Sequence, residues 1–148
     1  MTTQVTESSI DLLSFIRLKV PRLLPVELIE AVKGRTFTPE AFYKSQDAAI
    51  DNPNNFLYAL VDRDKKIHGY LWAELNDLDN SLFVNTFSVA KDFWGKGKGI
   101  KKAIDFVREL KDRHKAARVY WITTNEKFFS KNGFKKSKNV LMEYCSDQ

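Results

Sequence analysis

The spacing of hydrophobic residues predicts helices in the first third of the chain. Leu12, Leu13, Ile16 and Val20 recur at helical intervals, and they predict a helix that begins at Ser8 and ends before Pro21. Two more helices are predicted, one at residues 26–33 and one that begins at Thr38-Pro39. A weak strand pattern at residues 2–6 precedes them.

From residue 56 onward the pattern changes to strands. Short apolar runs bounded by turn residues predict strands at residues 56–61, 67–75, 82–89, 118–123 and 134–144, the last as one strand or two. The polar turn at residues 62–66 makes the first pair an antiparallel hairpin. An amphipathic helix from Gly99 to about Arg113 joins the third strand to the fourth, so these two should be parallel. A short helix is predicted at Glu126–Lys131, capped by Thr124 or Asn125. The order indicates one α+β domain over residues 1–148 with a mixed, mostly antiparallel sheet.

A glycine-rich loop between the third strand and the long helix is the clearest chemical signal. Gly95, Gly97 and Gly99 alternate with Lys96 and Lys98. Glycines let a ligand approach the backbone, and the helix that follows points its unpaired N–H groups and positive dipole end at the loop. The loop therefore predicts a phosphate site.

Two common phosphate-binding motifs do not fit this loop. Lys98 is followed by Gly99 and not by the Ser or Thr that holds magnesium in a Walker loop. A dinucleotide-binding fingerprint requires different glycine spacing and a parallel strand pair, whereas the preceding strands are predicted to be antiparallel.

Composition and charge narrow the function classes. Residues 91–138 hold 15 basic and 5 acidic side chains, a balance of +10 against −5 for the remainder, which suits a polyphosphate ligand or a nucleic acid as well as a solvated basic face. The single Cys145 and two separated histidines argue against a disulfide and a structural zinc site, and for a cytoplasmic protein. We expect no signal peptide and no membrane span.

The loop and its surroundings resemble the GNAT superfamily of acyl-CoA-dependent N-acetyltransferases. The stretch Trp94-Gly-Lys-Gly-Lys-Gly99 matches the family loop at every glycine. The hairpin with Gly69 in its second strand and the Asn132-Gly-Phe134 turn also resemble family features. The resemblance covers most of the chain, and it implies a splay between the two central parallel strands, where acetyl-CoA would enter.

The resemblance also implies which residues bind acetyl-CoA. Pantetheine would pair with the backbone of Phe87, Ser88 and Val89, and the pyrophosphate would accept hydrogen bonds from the loop. The full expected set is Phe87, Ser88, Val89, Trp94, Gly95, Lys96, Gly97, Lys98, Gly99, Ile100, Asn125, Phe128 and Phe129, with Lys101, Lys102 and Lys131 near the nucleotide phosphate. No metal is required, since bare amides at a helix N-terminus suffice for a pyrophosphate.

Two positions depart from the family pattern. Trp94 replaces the usual Gln or Arg of the loop, and Phe129 stands where the family often has the Tyr that protonates the departing thiolate. Phenylalanine donates no proton, so this role is vacant, and we expect Phe128 and Phe129 to pack in the core or against pantetheine, with the core favoured.

Catalysis is predicted to be direct attack by the amine, without an enzyme nucleophile. Glu74 is the candidate general base, and Ser88 is the best-placed hydroxyl on the third strand, near Asn85 and Thr86. Tyr120 and Trp121 alternate, so one of them should face the acceptor pocket and the other the core. His68 and His114 are read as ordinary histidines.

Three functions remain open from the sequence. The first is an N-acetyltransferase acting on a primary amine. The second is a GNAT-fold protein that binds CoA or a partner without catalysis. The third is a protein that binds or modifies nucleic acid through residues 91–138. The chain would act as a monomer or homodimer.

Overall fold

The computed structural model describes residues 10–32, 37–93, 97–123 and 125–144. Within them a five-stranded sheet has the order β1-β2-β3-β4-β5 along the chain. The strands are β1 (Ser14–Arg17), β2 (Asn55–Val61), β3 (Ile67–Asn76), β4 (Ser81–Val89) and β5 (Arg118–Trp121). The helices are α1 (Val26–Glu30), α2 (Pro39–Ala49), α3 (Lys98–Arg113) and α4 (Glu126–Lys131), with short 3₁₀ turns at Pro21–Leu23 and Lys91–Phe93.

The pairing of the strands confirms the predicted mixed sheet. β1, β2, β3 and β4 pair antiparallel, and β4 pairs parallel with β5. The parallel pair follows from α3, which carries the chain back across one face of the sheet so that β5 runs in the same direction as β4. Alternating side chains of the sheet divide the core into two layers.

The layer on one face is built by α1 and α2, and the layer on the other by α3. Phe42 and Tyr43 of α2 pack with Tyr70 of β3 on the first face. Ala103 and Val107 of α3 pack on the second face, together with the other members of that cluster. Both layers are apolar because α2 and α3 each turn one stripe of residues to the sheet.

The start of α2 shows why the sequence signal there was strong. The hydroxyl oxygen of Thr38 accepts a hydrogen bond from the N–H of Ala41 at 3.1 Å, and Pro39 occupies the first helical position. This side-chain cap satisfies one of the donors that the first turn leaves unpaired. The helix then ends at Ala49, before the turn that enters β2.

The helix predicted from Ser8 to Val20 is wrong, since only Ile10 among its described residues is helical and a turn follows at residues 11–12. Ser14–Arg17 forms β1 instead, with Ile16 opposite Ala59 of β2. Leu12 is 55% exposed and Val20 is 52% exposed, whereas Leu13 is buried, so these residues do not form one buried helical stripe. Pairing with β2, every residue of which is buried, outweighs the local helical spacing. The strand suggested at residues 2–6 lies outside the described residues.

The strand predicted at residues 134–144 is also not formed. The segment has no regular structure, and its apolar side chains are exposed: Val140 at 77%, Leu141 at 78%, Met142 at 83% and Tyr144 at 92%. A strand is stable only when a neighbour pairs with its backbone, and this segment joins no ladder of the described sheet.

His114, just after α3, gives the fold a predicted sensitivity to acid. Burial lowers the pKa of His114, helped by the charges of Arg113 and Arg17, and its ring lies 4.5 Å from that of Phe56. The unfolded chain therefore binds more protons, so this contribution to stability is present above about pH 6.5 and is lost as pH falls.

We therefore expect the free energy of unfolding, measured in urea, to be lower at pH 5.5 than at pH 7.5. This decrease should be smaller in His114→Phe. That variant keeps an aromatic ring beside Phe56 and has no titrating group. An equal loss of stability in the two proteins would contradict this assignment.

Candidate functional site

The parallel ladder between β4 and β5 ends before β4 does. Its last pair is Val84 with Trp121, where β5 stops, whereas β4 continues to Val89. At the same point the register between β3 and β4 shifts: Trp72 lies opposite Thr86, but Ala73 lies opposite Val84. Asn85 is thus the extra residue of a β-bulge, which bends a strand and re-aims its side chains.

Beyond the bulge, β4 presents alternate backbone groups to its two sides. The N–H of Ala90 donates to the carbonyl of His68 on the β3 side at 2.7 Å. Because antiparallel pairing alternates along a strand, the N–H and C=O of Phe87 and Val89 point away from β3, toward the side on which β5 has ended. Phe87 is half-buried and Val89 is buried, between the second core layer and residues near Ile10.

The side chain of Ser88 lies on the face of β4 opposite to the side chains of Phe87 and Val89. Its side chain is buried, and its hydroxyl donates to the carbonyl of Leu28 in α1 at 2.7 Å. This hydrogen bond ties α1 to the strand. The catalytic role suggested for Ser88 stays a prediction, and the bond shows where its proton is directed.

The glycine loop meets α3 at Gly97. Gly97 is the N-cap residue, with φ 69° in the left-handed region that favours glycine. A Cβ at this position would lie 2.5 Å from the ring of Phe128, so the loop and α4 are in close contact. Gly99 is also tight, since its Cβ would lie 3.2 Å from a methyl group of Val89.

The first turn of α3 has a charge that would suit a bound anion. It contains no acidic residue, whereas Lys98 and Lys101 are exposed there and Ile100 is half-buried. Lys101 pairs with Asp105 at 2.6 Å, one turn along the helix. Unpaired N–H groups and the positive dipole end favour a bound anion at this terminus. Trp94, Gly95 and Lys96 lie outside the described residues.

The helix α4 lies against Gly97, the residue at which the glycine loop meets α3. The side-chain oxygen of Asn125 accepts from the N–H of Phe128 at 3.2 Å, so Asn125 is the N-cap residue of α4. Phe128 is half-buried against Gly97, and Phe129 is buried at 6% exposure. The position of Phe128 was suggested by the sequence, but its contact with Gly97 was not.

Phe129 packs in an aromatic cluster. Its ring centroid lies 5.0 Å from that of Trp121 and 5.2 Å from that of Phe134. These edge-on contacts bury the ring, which carries no hydroxyl. The interpretation of Phe129 as a core residue agrees with this packing.

We expect Phe129→Ala to lower the free energy of unfolding by about 3–5 kcal/mol, because it opens a cavity in a buried cluster. Phe128→Ala is the matched control: it removes the same ring from a half-buried position and should cost clearly less. Urea unfolding measures both, and a smaller loss for Phe129→Ala than for Phe128→Ala would contradict the packing.

Glu74 lines a cavity at the beginning of the β4–β5 ladder. The cavity has a volume of about 560 Å³, and Glu74, Phe83 and Tyr120 line it together with Asp77 and Asp79. Glu74 pairs with Phe83 across the sheet, and Phe83 pairs with Tyr120. Tyr120 therefore faces this cavity, and Trp121 faces the core, as the alternation required.

The two histidines have structural partners. His68 lies 2.8 Å from the carboxylate of Asp62, and this contact is the main reason that the pKa of Asp62 is lowered. His114 packs on Phe56. Among the described residues no group of three or more potential metal ligands occurs, and no helix there is long and apolar enough to cross a membrane.

Sequence comparison identifies the family of this chain. The profile of the acetyltransferase (GNAT) family matches residues 25–134. The chain belongs to the acetyltransferase (GNAT) family. No curated protein sequence matches it significantly.

Solved structures show the same fold at low sequence identity. A possible acetyltransferase from Clostridium difficile 630 has a TM-score of 0.71 and 12% identity, over 93% of this chain and 99% of that one. Glucosamine-6-phosphate N-acetyltransferase from Arabidopsis thaliana has a TM-score of 0.66 and 19% identity, over 89% and 97%. Spermidine/spermine N-acetyltransferase SpeG from Vibrio cholerae has a TM-score of 0.68 and 12% identity, over 93% and 86%. These likenesses establish the fold.

Proposed function

We propose that this protein is an N-acetyltransferase that transfers an acetyl group from acetyl-CoA to a primary amine by direct attack. The observation that carries the proposal is that the β4–β5 ladder ends at Val84 while β4 continues to Val89, which contacts Gly99 in the acid-free first turn of α3. An extended chain can pair with the backbone of Phe87 there, and the amides near Gly97 suit its phosphates.

The residues of the loop fit acetyl-CoA as a substrate. Gly97 turns the chain into α3 with a left-handed φ and no side chain of its own caps the first N–H groups of the helix, and Lys98 and Lys101 add positive charge. Acetyl-CoA supplies an activated thioester. The contribution of the protein is to hold its phosphates and to place the thioester near the bulge at Asn85.

The amine is proposed to approach from the cavity that Glu74 and Tyr120 line. Glu74 takes one proton from the ammonium group, the neutral nitrogen attacks the thioester carbonyl, the carbon–sulfur bond breaks, and the nitrogen loses its second proton to water. The carboxylates of Asp77 and Asp79 in the same cavity favour a cationic acceptor. Phe129 cannot protonate the thiolate, so we propose that solvent does so.

Two of the structural relatives act, by name, on small amine-bearing molecules, glucosamine-6-phosphate and spermidine or spermine. They support the proposed reaction class, and the acceptor of this chain remains a primary amine of open identity. The single cysteine is consistent with the proposed cytoplasmic location.

Release of CoA thiol from acetyl-CoA, followed with a thiol reagent, tests the proposal. The amine panel should include polyamines, aminosugars and a lysine peptide. We expect thiol release that depends on one class of amine and saturates with its concentration.

A second candidate function is binding of acetyl-CoA without catalysis, and Phe129 favours it. Because the proton-donor position is a buried phenylalanine, the chain could bind acetyl-CoA without catalysis. Binding of acetyl-CoA with no amine-dependent thiol release across the panel would support this module over the enzyme.

A further inference from the structure

A second cavity, with the opposite charge, lies along the outer edge of β5. It has a volume of about 730 Å³, and residues 118–120, residues 133–139 and the side of α3 line it. Six cationic side chains border it: Arg108, Lys111, Arg118, Lys135, Lys136 and Lys138. None of the described residues that line it is acidic. We call it the basic groove.

The basic groove is separate from the proposed acetyl-CoA site and adjoins the cavity of Glu74 at one residue. The proposed acetyl-CoA site depends on Gly97 and the far end of β4, and neither belongs to the lining of the groove. Tyr120 is the one residue that lines both the groove and the cavity of Glu74. The charges of the groove are therefore not explained by binding of acetyl-CoA.

The cations of the groove are only partly occupied by neighbours. Arg108 donates to the carbonyl of Asn132 and lies 3.7 Å from Asp105, and both interactions are exposed. Arg118 donates to the hydroxyl of Tyr120 at 3.3 Å, and this bond raises the pKa of Arg118. The three lysines of residues 135–138 are exposed. Concentrating this much like charge raises the free energy of the fold unless a polyanion neutralises it.

We propose that the basic groove binds single-stranded nucleic acid. Three features favour it over other polyanions. The groove is concave and of the size of ligand pockets, so a flexible strand can follow it with its bases, whereas a rigid duplex keeps its bases stacked inside. Tyr120 and Phe134 add aromatic surface among the cations, and bases stack on such surface. Two arginines stand among the lysines, and guanidinium groups match phosphate oxygens in pairs.

This inference does not rest on the proposed acetyl transfer, because binding is measured without acetyl-CoA. The probe is a fluorescein-labelled 12-nucleotide RNA of mixed sequence, with the DNA of the same sequence in parallel. The reading is fluorescence anisotropy with the full chain at several salt concentrations. We expect saturable binding whose affinity falls steeply with salt.

Charge reversal separates the groove from the general basicity of the chain. Lys135→Glu/Lys136→Glu should weaken binding at least tenfold and lower the slope of log affinity against log salt by about 1.4, since each phosphate contact contributes about 0.7. The matched control, Lys65→Glu/Lys66→Glu, makes the same change at an exposed turn between β2 and β3 and should weaken binding much less. Equal weakening by both pairs would overturn the proposal.

Two further comparisons test the kind of polyanion. Tyr120→Leu should weaken RNA binding about fivefold or more, because a stacking surface is lost. A 12-residue glutamate peptide should compete poorly with the RNA. If that peptide binds as tightly as the RNA, the groove is a site for acidic protein segments and the proposal is wrong.

Discussion

Gly97→Glu is expected to weaken the binding of acetyl-CoA at least about a hundredfold. A side chain at φ 69° costs about 1–2 kcal/mol, and its Cβ would need to displace the ring of Phe128 from 2.5 Å. The new carboxylate would also occupy the positive end of α3 and repel the pyrophosphate. The free protein relaxes the strained loop and binding must restore it, so the strain and the charge repulsion both reduce affinity. Each 1.4 kcal/mol is a factor of ten, so about 3 kcal/mol in total gives two orders of magnitude.

Titration calorimetry with acetyl-CoA measures the effect, and Gly133→Glu is the matched control. Gly133 also has a left-handed φ, of 89°, but it lies after α4 beside Arg108. The control therefore introduces similar backbone strain and the same charge away from the loop. Unchanged affinity in Gly97→Glu, or equal weakening in both variants, would remove the loop from the binding site.

Glu74→Gln is expected to lower kcat by about 10²–10⁴ and to leave the KM for acetyl-CoA nearly unchanged. Gln has the same size but accepts no proton, so only general-base catalysis is lost. Glu74 lies across the sheet from Phe83 and shares its cavity with Tyr120, which places it within reach of an amine that enters there.

Asp77→Asn is the control for the charge of that cavity. Asp77 lines the same cavity and accepts a hydrogen bond from Asn54 at 2.7 Å. Its removal should raise the KM for a cationic amine and leave kcat near its original value. If Glu74→Gln retains the original kcat and Asp77→Asn does not, the base has been assigned to the wrong carboxylate.

Local signals predicted most of the sheet and the helices that flank it. The apolar run from Phe56 to Val61 predicted β2, and Thr38-Pro39 predicted the start of α2. The glycines before α3 predicted its N-terminus, because residue type there limits the backbone directly. These features depend on neighbours in sequence.

Features that depend on distant partners were missed. β1 forms at Ser14–Arg17 because β2 needs a second neighbour, although the local spacing is helical. The segment from Phe134 to Tyr144 has strand-like residues but pairs with no described strand. No residue pattern predicted the bulge at Asn85, because the register between two strands determines where a bulge lies.

For the candidate site, too, the sequence predicted the features that depend on residue identity and missed those that depend on tertiary contacts. The sequence indicated the glycine loop and the absence of a phenol at Phe129, and both rest on residue identity. It could not show that Phe128 covers Gly97, or that Glu74 and Tyr120 share one cavity. Those relations require the tertiary contacts between α4, α3 and the sheet.

The central claim is that acetyl-CoA binds between the end of β5 and the continuing strand β4. A crystal structure with CoA tests it most directly. We expect the pyrophosphate at the amides that follow Gly97, the pantetheine beside Phe87 and the sulfur near the bulge at Asn85. CoA bound elsewhere, or β5 paired with β4 as far as Val89 in that complex, would contradict the account.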